Sequence, residues 1–542
     1  MKLRSYLLIL FTTIVLVINA WAGSGTPTMT EMVRMRDGAR LVTDIYLPEG
    51  KGPWPAVVMR TPYTRKLEYM DSLLKGGYAV VIQSIRGRFG SEGTERLVFL
   101  DDGWGENQDG YDCVEWVAKQ QWCNGKIATV GASASGITQY LMAGSTPPSL
   151  KCQVVAVAAP SLYHYAVFPG GAFRLEQVKN WLAGNSFDQK QLRVMIEHPS
   201  YDRLWQALDL TTRPEKVCVP ILHIAGWYDT FLQGNLDAFT LLQRQGGTGA
   251  KGNHKIIVGP WGHGERKKIG AFEYPNSEQP KEPNLLAWLD HWVKGIDNGV
   301  EKSPSVHYYT VGAIGEKDAL GNEWRTSDVW PIPAVVTPFY LHKDGFLSKE
   351  MPRETTTIGK SYVFDPKNPV PTVGGNNLTI AKGPLDQRKV EQRKDVVIFE
   401  TPVLQEPLEV TGRINVKLWA SSTGKDTDFT AKLADVYPDG RSMNVCDGII
   451  RARYRKFFEN PELLVPGEIY EFEIDLWSTS IVFNKGHKIR LAISSSNYPR
   501  FDVNPNTGEL PSTAQSKIAV RNTIYCDQSH PSAVYLPIVH NQ

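Results

Sequence analysis

The sequence predicts an α/β domain built on a largely parallel sheet, followed by an all-β domain. Three observations point to this. From residue 31 to 310, strand-like and helix-like segments alternate. Beyond about residue 330, apolar residues alternate with polar ones at a period of two, the mark of antiparallel strands with one wet face. Within the first region, residues 161–215 break the pattern with aromatic, helix-like pieces. A chain of 542 residues, 42% of them hydrophobic, can bury two or three cores.

The chain opens with Lys2 and Arg4, then an apolar stretch from Leu7 to Ile18 interrupted only by Thr12 and Thr13. That stretch is shorter than the roughly 20 residues that span a bilayer, and Ala20-Trp21-Ala22 follows as a small-x-small cleavage site. Residues 1–22 are therefore expected to be an export signal, leaving a secreted or periplasmic mature chain; an uncleaved anchor is the alternative. Buried strands are expected at Trp54–Met59, Tyr78–Ile85, Lys126–Val130, Cys152–Ala158, Val219–Ala225 and His254–Val258. Asp109–Gln120 reads as a helix with Asp109 as its N-cap, and Glu282–Lys294 as another ended by Gly295. Residues 23–160 and 216–330 would then form the core domain. Residues 161–215, with helices expected over Arg174–Leu182 and Tyr201–Leu210, would lie over it as a cap. In residues 331–542 the alternating runs Ile414-Val416-Leu418, Tyr470-Phe472-Ile474-Leu476 and Ile489-Leu491-Ile493, with a Pro438-Asp439-Gly440 turn, predict a β-sandwich or jelly roll.

A formal net charge of +2 without a basic block argues against a nucleic-acid partner. Six cysteines (113, 123, 152, 218, 446 and 526) permit disulfides in an exported chain without requiring them. No Cys-x-x-Cys or His/Cys cluster suggests a metal, and no cofactor is implied.

The most informative stretch runs from Lys126 to Gly136. A short apolar run meets Gly131-Ala132-Ser133-Ala134-Ser135-Gly136, and a helix-competent segment follows. This is the layout of a nucleophile elbow, which projects a serine hydroxyl from a tight strand-to-helix turn. Gly136 stands one position later than in Gly-x-Ser-x-Gly. Ser135 is the rival nucleophile, but Ile137 two residues after it is β-branched and fits the turn badly. An ordinary turn with a buried serine is the alternative, and the partners decide. A serine needs a base, and the base needs an orienting acid. The strand at 219–225 runs into Gly226-Trp227-Tyr228-Asp229, and the strand at 254–258 into Gly259-Pro260-Trp261-Gly262-His263. Asp229 and His263 thus follow Ser133 in the order of α/β-hydrolase triads. The Ala134 amide and the Tyr63 phenol, on the loop after the strand at 54–59, are the candidate oxyanion donors. Trp227, Trp261 and Phe168 are candidate pocket walls, with core aromatics as the alternative. His223, inside an apolar strand, reads as a core histidine; Arg86 reads as a tie between loops.

Taken together, these motifs resemble the cocaine esterase and X-Pro dipeptidyl-peptidase-like hydrolases, which include α-amino acid ester hydrolases and glutaryl acylases. The resemblance rests on Arg60-Thr61-Pro62-Tyr63, the Arg86–Gly93 run, the Asp109–Trp116 run, Trp122–Lys126, the elbow, and the loops holding Asp229 and His263. It implies an α/β-hydrolase core, a helical cap and a C-terminal jelly-roll (galactose-binding-like) domain. It also implies a Gly-x-Ser-Tyr-x-Gly elbow, which accounts for the late glycine, and it supports Asp229, His263 and Tyr63 in the roles given above. Ala134 departs from that pattern, where the family carries Tyr. The expected activity is serine-dependent hydrolysis of an ester or amide through an acyl-enzyme. X-Pro dipeptidyl-peptidase action is the nearest alternative, and a glycan- or polymer-binding protein with an inactive core is one of another class. The expected partner is a small ester, amide or short peptide, with no nucleic acid and no membrane after signal cleavage; a homo-oligomer is compatible with the sequence.

Overall fold

The computed structural model describes residues 25–67, 70–94 and 96–540. The signal expected over residues 1–22 lies outside them. Ten strands make the first sheet: β1 (Met29–Arg34), β2 (Arg40–Tyr46), β3 (Trp54–Thr61), β4 (Ala79–Ser84), β5 (Cys123–Ala132), β6 (Leu150–Ala156), β7 (Ile221–Gly226), β8 (Lys255–Gly259), β11 (Val306–Thr310) and β12 (Glu323–Ser327). A separate hairpin, β9 (Lys268–Ile269) and β10 (Phe272–Glu273), lies between β8 and β11 in the chain. The sheet order is β1-β2-β4-β3-β5-β6-β7-β8-β11-β12. Every pair from β4 to β11 is parallel, and the flanking pairs are antiparallel. Parallel strands need crossovers that cover both faces, and so their residues are mostly apolar and buried on both faces. All of β4, β7 and β8 is buried.

The crossovers include α1 (Asp71–Lys75), α2 (Asp109–Ala118), α3 (Ala134–Ala143) and, later in the chain, α7 (Leu232–Gln245) and α8 (Leu285–Leu289). Two helix starts differ from expectation. Asp109 is not the cap of α2 but its first residue, behind Gln108. Its carboxylate instead takes the buried Arg86 guanidinium at 2.7 Å, a charge-assisted bond that outcompetes a backbone amide. The helix expected from Glu282 begins at Leu285, because a residue before proline disfavours helical backbone. Asn284 caps it, accepting the Ala287 N–H at 2.9 Å, and Gly295 at φ 77° ends the π-helical turn that follows.

Between β6 and β7 the chain forms α4 (Leu175–Gly184), α5 (Gln189–Glu197) and α6 (Arg203–Gln206) over the sheet edge. The helix expected over 201–210 is reduced to four residues. Asp202 caps the Leu204 N–H and Asp209 caps the Thr211 N–H, so two short turns replace one helix.

The remaining strands form two antiparallel sheets. The larger comprises β13 (Val335–Leu341), β14 (Leu347–Ser348), β15 (Gly359–Phe364), β17 (Leu408–Ser422), β20 (Tyr470–Phe483), β22 (Val520–Asp527), β23 (His530–Pro531) and β24 (Ala533–Ile538). The smaller is β16 (Val397–Glu400), β21 (Lys488–Ser494), β18 (Asp428–Val436) and β19 (Ser442–Arg451), in the order β16-β21-β18-β19. Val416, Leu418, Phe472 and Ile474 of the larger sheet share one core with Phe429, Leu433, Ile489 and Leu491 of the smaller. Between β15 and β16 the chain leaves this sandwich. Residues 374–383 form a strap closed by reciprocal Gly375 and Gly383 N–H···O=C bonds of 2.9 Å, and it lies against the first domain. All six cysteines are free thiols.

Candidate active site

Ser133 stands alone between β5 and α3 at φ 57° and ψ −125°, a conformation that costs a non-glycine residue on the order of 1–3 kcal/mol. The surroundings hold it there. Its N–H donates to the Ala156 carbonyl at the end of β6 at 2.9 Å. A Cβ on Gly131 would meet the Ser135 carbonyl oxygen at 2.6 Å, and one on Gly136 would meet Ala158 Cβ at 2.6 Å. The small residues of the motif are there because strand and helix close to that distance.

Asp229 follows β7 and His263 follows β8, adjacent parallel strands, so their loops emerge at the same sheet edge as the elbow. His263 Nε2 lies 2.9 Å from Ser133 Oγ and its Nδ1 lies 2.6 Å from Asp229 Oδ2. The Asp229 side chain is fully buried, and its Oδ1 accepts the Phe231 N–H at 2.7 Å. A carboxylate so placed fixes the imidazole with its proton on Nδ1, leaving Nε2 free to take the hydroxyl proton.

Tyr63 lies beside Ser133, and Trp181 Nε1–H on α4 donates to its phenolic oxygen at 2.9 Å. Indole is a donor only, so this bond occupies a lone pair and leaves the phenol proton free to donate. Burial raises the pKa of Tyr63, partly offset by hydrogen bonding to Trp181 and Ser133, which keeps the phenol protonated at neutral pH. Ala134 is the first residue of α3, so its N–H has no partner within the helix and stands next to the Ser133 side chain.

A cleft of about 50 Å3 opens on Ser133. It is lined by Ala134 and Ile137 of the elbow, Phe99 and Val98 of the loop before α2, Trp181 and Val178 of α4, Phe231 beyond Asp229, and Leu378 of the strap, among others. Apart from Ser133 and Gln177 the lining is apolar. The three aromatics expected to wall it are elsewhere. Trp227 is buried with its Nε1–H on the Tyr309 carbonyl at 2.6 Å. Trp261 is buried with its Nε1–H on the Ser277 carbonyl at 2.7 Å. Phe168 packs against Tyr163, Phe173 and Trp205. Each indole N–H is satisfied by backbone, which fixes these rings as core. Trp227 and Trp261 stand beside Asp229 and His263 in sequence, whereas Phe168 belongs to the cap segment. The true walls, Phe99, Trp181 and Phe231, lie on three segments that only the fold brings together. Trp181 alone carried a signal, as the aromatic on the helix expected over 174–182.

His223 is fully buried with Nδ1 2.7 Å from the Tyr140 hydroxyl, and burial lowers its pKa, so it stays neutral. Arg86 binds Asp37 at 2.6 Å and Asp109 at 2.7 Å beneath the loop that carries Val98 and Phe99. Among the described residues, no group of three or more His, Cys, Asp or Glu side chains is arranged to hold a metal ion.

Comparison with known proteins places this geometry. Residues 37–194 and 182–265 match the X-Pro dipeptidyl-peptidase (S15 family) profile, and residues 298–535 match the X-Pro dipeptidyl-peptidase C-terminal non-catalytic domain. The chain is 34% identical to the cocaine esterase of Rhodococcus sp. (strain MB1 Bresler), covering 94% of this chain and 98% of that one. A putative serine esterase of Mycobacterium bovis is 26% identical, covering 94% of each. Among solved structures, an aminopeptidase from the marine sediment archaeon Thaumarchaeota archaeon superposes with a TM-score of 0.81 at 26% identity, covering 94% of this chain and 96% of that one. An α-amino acid ester hydrolase superposes with a TM-score of 0.80 at 24% identity, covering 98% and 100%, and so shares the fold.

Proposed function

Because the chain belongs to the serine hydrolase family that holds cocaine esterase and the S15 X-Pro dipeptidyl-peptidases, we propose that it cleaves esters through an acyl-enzyme on Ser133. The observation that carries this reading is one imidazole bridging Asp229 at 2.6 Å and Ser133 at 2.9 Å. As Ser133 Oγ attacks the ester carbonyl, His263 Nε2 takes its proton, and Asp229 stabilises the imidazolium. The charge that develops on the carbonyl oxygen is met by the Ala134 N–H and the Tyr63 O–H. His263 then returns the proton to the leaving alcohol, which departs and leaves Ser133 acylated. Water gives a proton to His263 as it attacks the acyl carbonyl; the bond between Ser133 Oγ and the acyl group then breaks, His263 returns the proton to Oγ, and the acid is released.

An ester is favoured over an X-Pro peptide by the cleft itself. A dipeptidyl-peptidase must hold a charged amino terminus, and the residues lining this cleft include no carboxylate. An apolar lining suits a short or flat acyl group instead. We further infer that the C-terminal sandwich is a jelly roll of the galactose-binding-like kind, supported by its two packed antiparallel sheets. Export is inferred from the basic, apolar and small-x-small segments of residues 1–22.

The test is labelling with a fluorophosphonate followed by peptide mapping, with turnover measured on p-nitrophenyl esters and on Ala-Pro-p-nitroanilide. The expected result is a single adduct on Ser133, ester turnover lost in Ser133→Ala, and the esters far preferred. Absence of the adduct would instead favour a binding protein, and preference for the anilide a dipeptidyl-peptidase.

A further inference from the structure

The loop carrying Asp229 is held from outside its own domain. Asn376, on the strap between β15 and β16, is 4% exposed, and its Nδ2 donates to the Asp229 carbonyl at 2.8 Å and to the Trp227 carbonyl at 3.0 Å. A primary amide has two protons, and here both are spent on the backbone at the acid and two residues before it. Arg174, fully buried ahead of α4, completes the clamp: its Nη2 donates to the Asn376 carbonyl at 2.6 Å and its Nη1 to the Thr230 carbonyl at 2.9 Å. The carbonyls of Trp227, Asp229 and Thr230 are thus gripped by one amide and one guanidinium.

The same strap reaches the other loop and the cap. Lys382 pairs with Glu265, two residues past His263, at 2.9 Å. The Thr379 and Ile380 N–H groups donate to Glu176 Oε1 of α4 at 2.5 and 2.8 Å, and Leu378 between these contacts lines the cleft. Residues 376–382 therefore touch the acid loop, the histidine loop and the cap at once.

We infer that Asn376 is a positioning residue for the hydrolysis: through the Asp229 backbone it sets the carboxylate that orients His263 toward Ser133. The inference rests on the roles proposed above for Ser133, Asp229 and His263. A displacement of about 1 Å in such a relay costs on the order of a hundredfold in rate, while ground-state binding in the cleft is untouched.

Asn376→Ala and Asn376→Ser are compared with the wild-type chain for kcat and KM on one soluble p-nitrophenyl ester, for the rate of fluorophosphonate labelling, and for the thermal midpoint. In Asn376→Ala, kcat and the labelling rate are expected to fall roughly 10- to 100-fold with KM within about threefold. Asn376→Ser keeps one donor and is expected to recover part of the loss. Variants that lose thermal stability alone, with wild-type kcat per folded molecule, overturn the inference. Where Asn376→Ala does not fold, Asn376→Ser decides: a reduced kcat at retained KM supports the role, and a wild-type kcat overturns it. A wild-type chain that neither labels at Ser133 nor turns over the ester sinks the parent reading as well, and so is told apart from a failure confined to Asn376.

Discussion

The hydroxyl of Tyr63 is the residue on which rate should depend most visibly outside the Ser–His–Asp set. It is the proposed oxyanion donor, and Phe keeps the ring but removes both that proton and the oxygen that accepts the Trp181 indole N–H. Removing one oxyanion donor typically costs about 3–4 kcal/mol in the transition state. Tyr63→Phe is therefore expected to lower kcat roughly 100- to 1000-fold with little change in KM, measured by steady-state ester hydrolysis, because the ground-state carbonyl is not yet charged. An unchanged kcat would leave the Ala134 amide as the only oxyanion donor. Residues of this kind were legible in the sequence because their chemistry demands both a residue type and a place after a strand. Ser133, Asp229, His263 and Tyr63 all lie near the same sheet edge by that logic. Asn376 was not legible. An asparagine between two loop glycines and a leucine carries no mark of what its amide will meet, and its partners lie about 150 residues away in the chain.

At the scale of elements, α4 does two things at once: its Trp181 walls the cleft and bonds the Tyr63 phenol. The cleft of about 50 Å3 has room for roughly three to five water-sized groups, so a long acyl chain would extend beyond its apolar walls. Across p-nitrophenyl esters, kcat/KM is expected to peak at short or aromatic acyl groups and to drop at least tenfold by the length of a decanoate. Trp181→Ala, which opens the wall, is expected to flatten that profile, and a wild-type preference rising with chain length would contradict the apolar-wall reading. The elements themselves were legible where a short apolar run is continuous, as in β4, β5, β7 and β8. Termini set by competition were not. Asp109 is a good cap in isolation, yet a buried arginine nearby claims its carboxylate. The pocket aromatics failed for the complementary reason. Trp227 and Trp261 are close to Asp229 and His263 along the chain, but each is buried with its indole N–H on a backbone carbonyl, that of Tyr309 and that of Ser277.

Over the whole molecule, the two halves are joined by contacts that titrate. His487 opens onto both: its Nδ1 lies 2.7 Å from Asp435 on β18 and its Nε2 3.0 Å from Glu316 beyond β11, with the Tyr437 ring 4.5 Å away. Burial pulls its pKa down, but the two carboxylates outweigh this and hold it above the ordinary imidazole value. A raised folded-state pKa gives stability that is fully present below the unfolded value of about 6.5 and is lost as pH rises through the folded value. At the acid end, Asp435, whose own pKa burial raises, takes up a proton and weakens the pair. The thermal midpoint of wild type minus that of His487→Gln is therefore expected to be widest near about pH 6 and to narrow as the pH is raised; a difference that grows with pH would refute this. That the chain divides into an α/β part and an all-β part was legible from the change of period near residue 330. The strap was not, because nothing in a glycine-rich connection tells on which domain it will come to rest.

The six thiols carry a practical consequence for how the protein is made and stored. Cys113, Cys123, Cys152, Cys446 and Cys526 are buried, and desolvation raises the pKa of each, to about 12 for Cys113 and Cys526. The reactive thiolate is thus scarce wherever it is sheltered, and only Cys218 is partly open to solvent. Maturation then calls for no disulfide isomerase or oxidant, and reductant in the buffer serves only to keep Cys218 from cross-linking one molecule to another. Scrambled cross-links on prolonged storage should trace to one position alone.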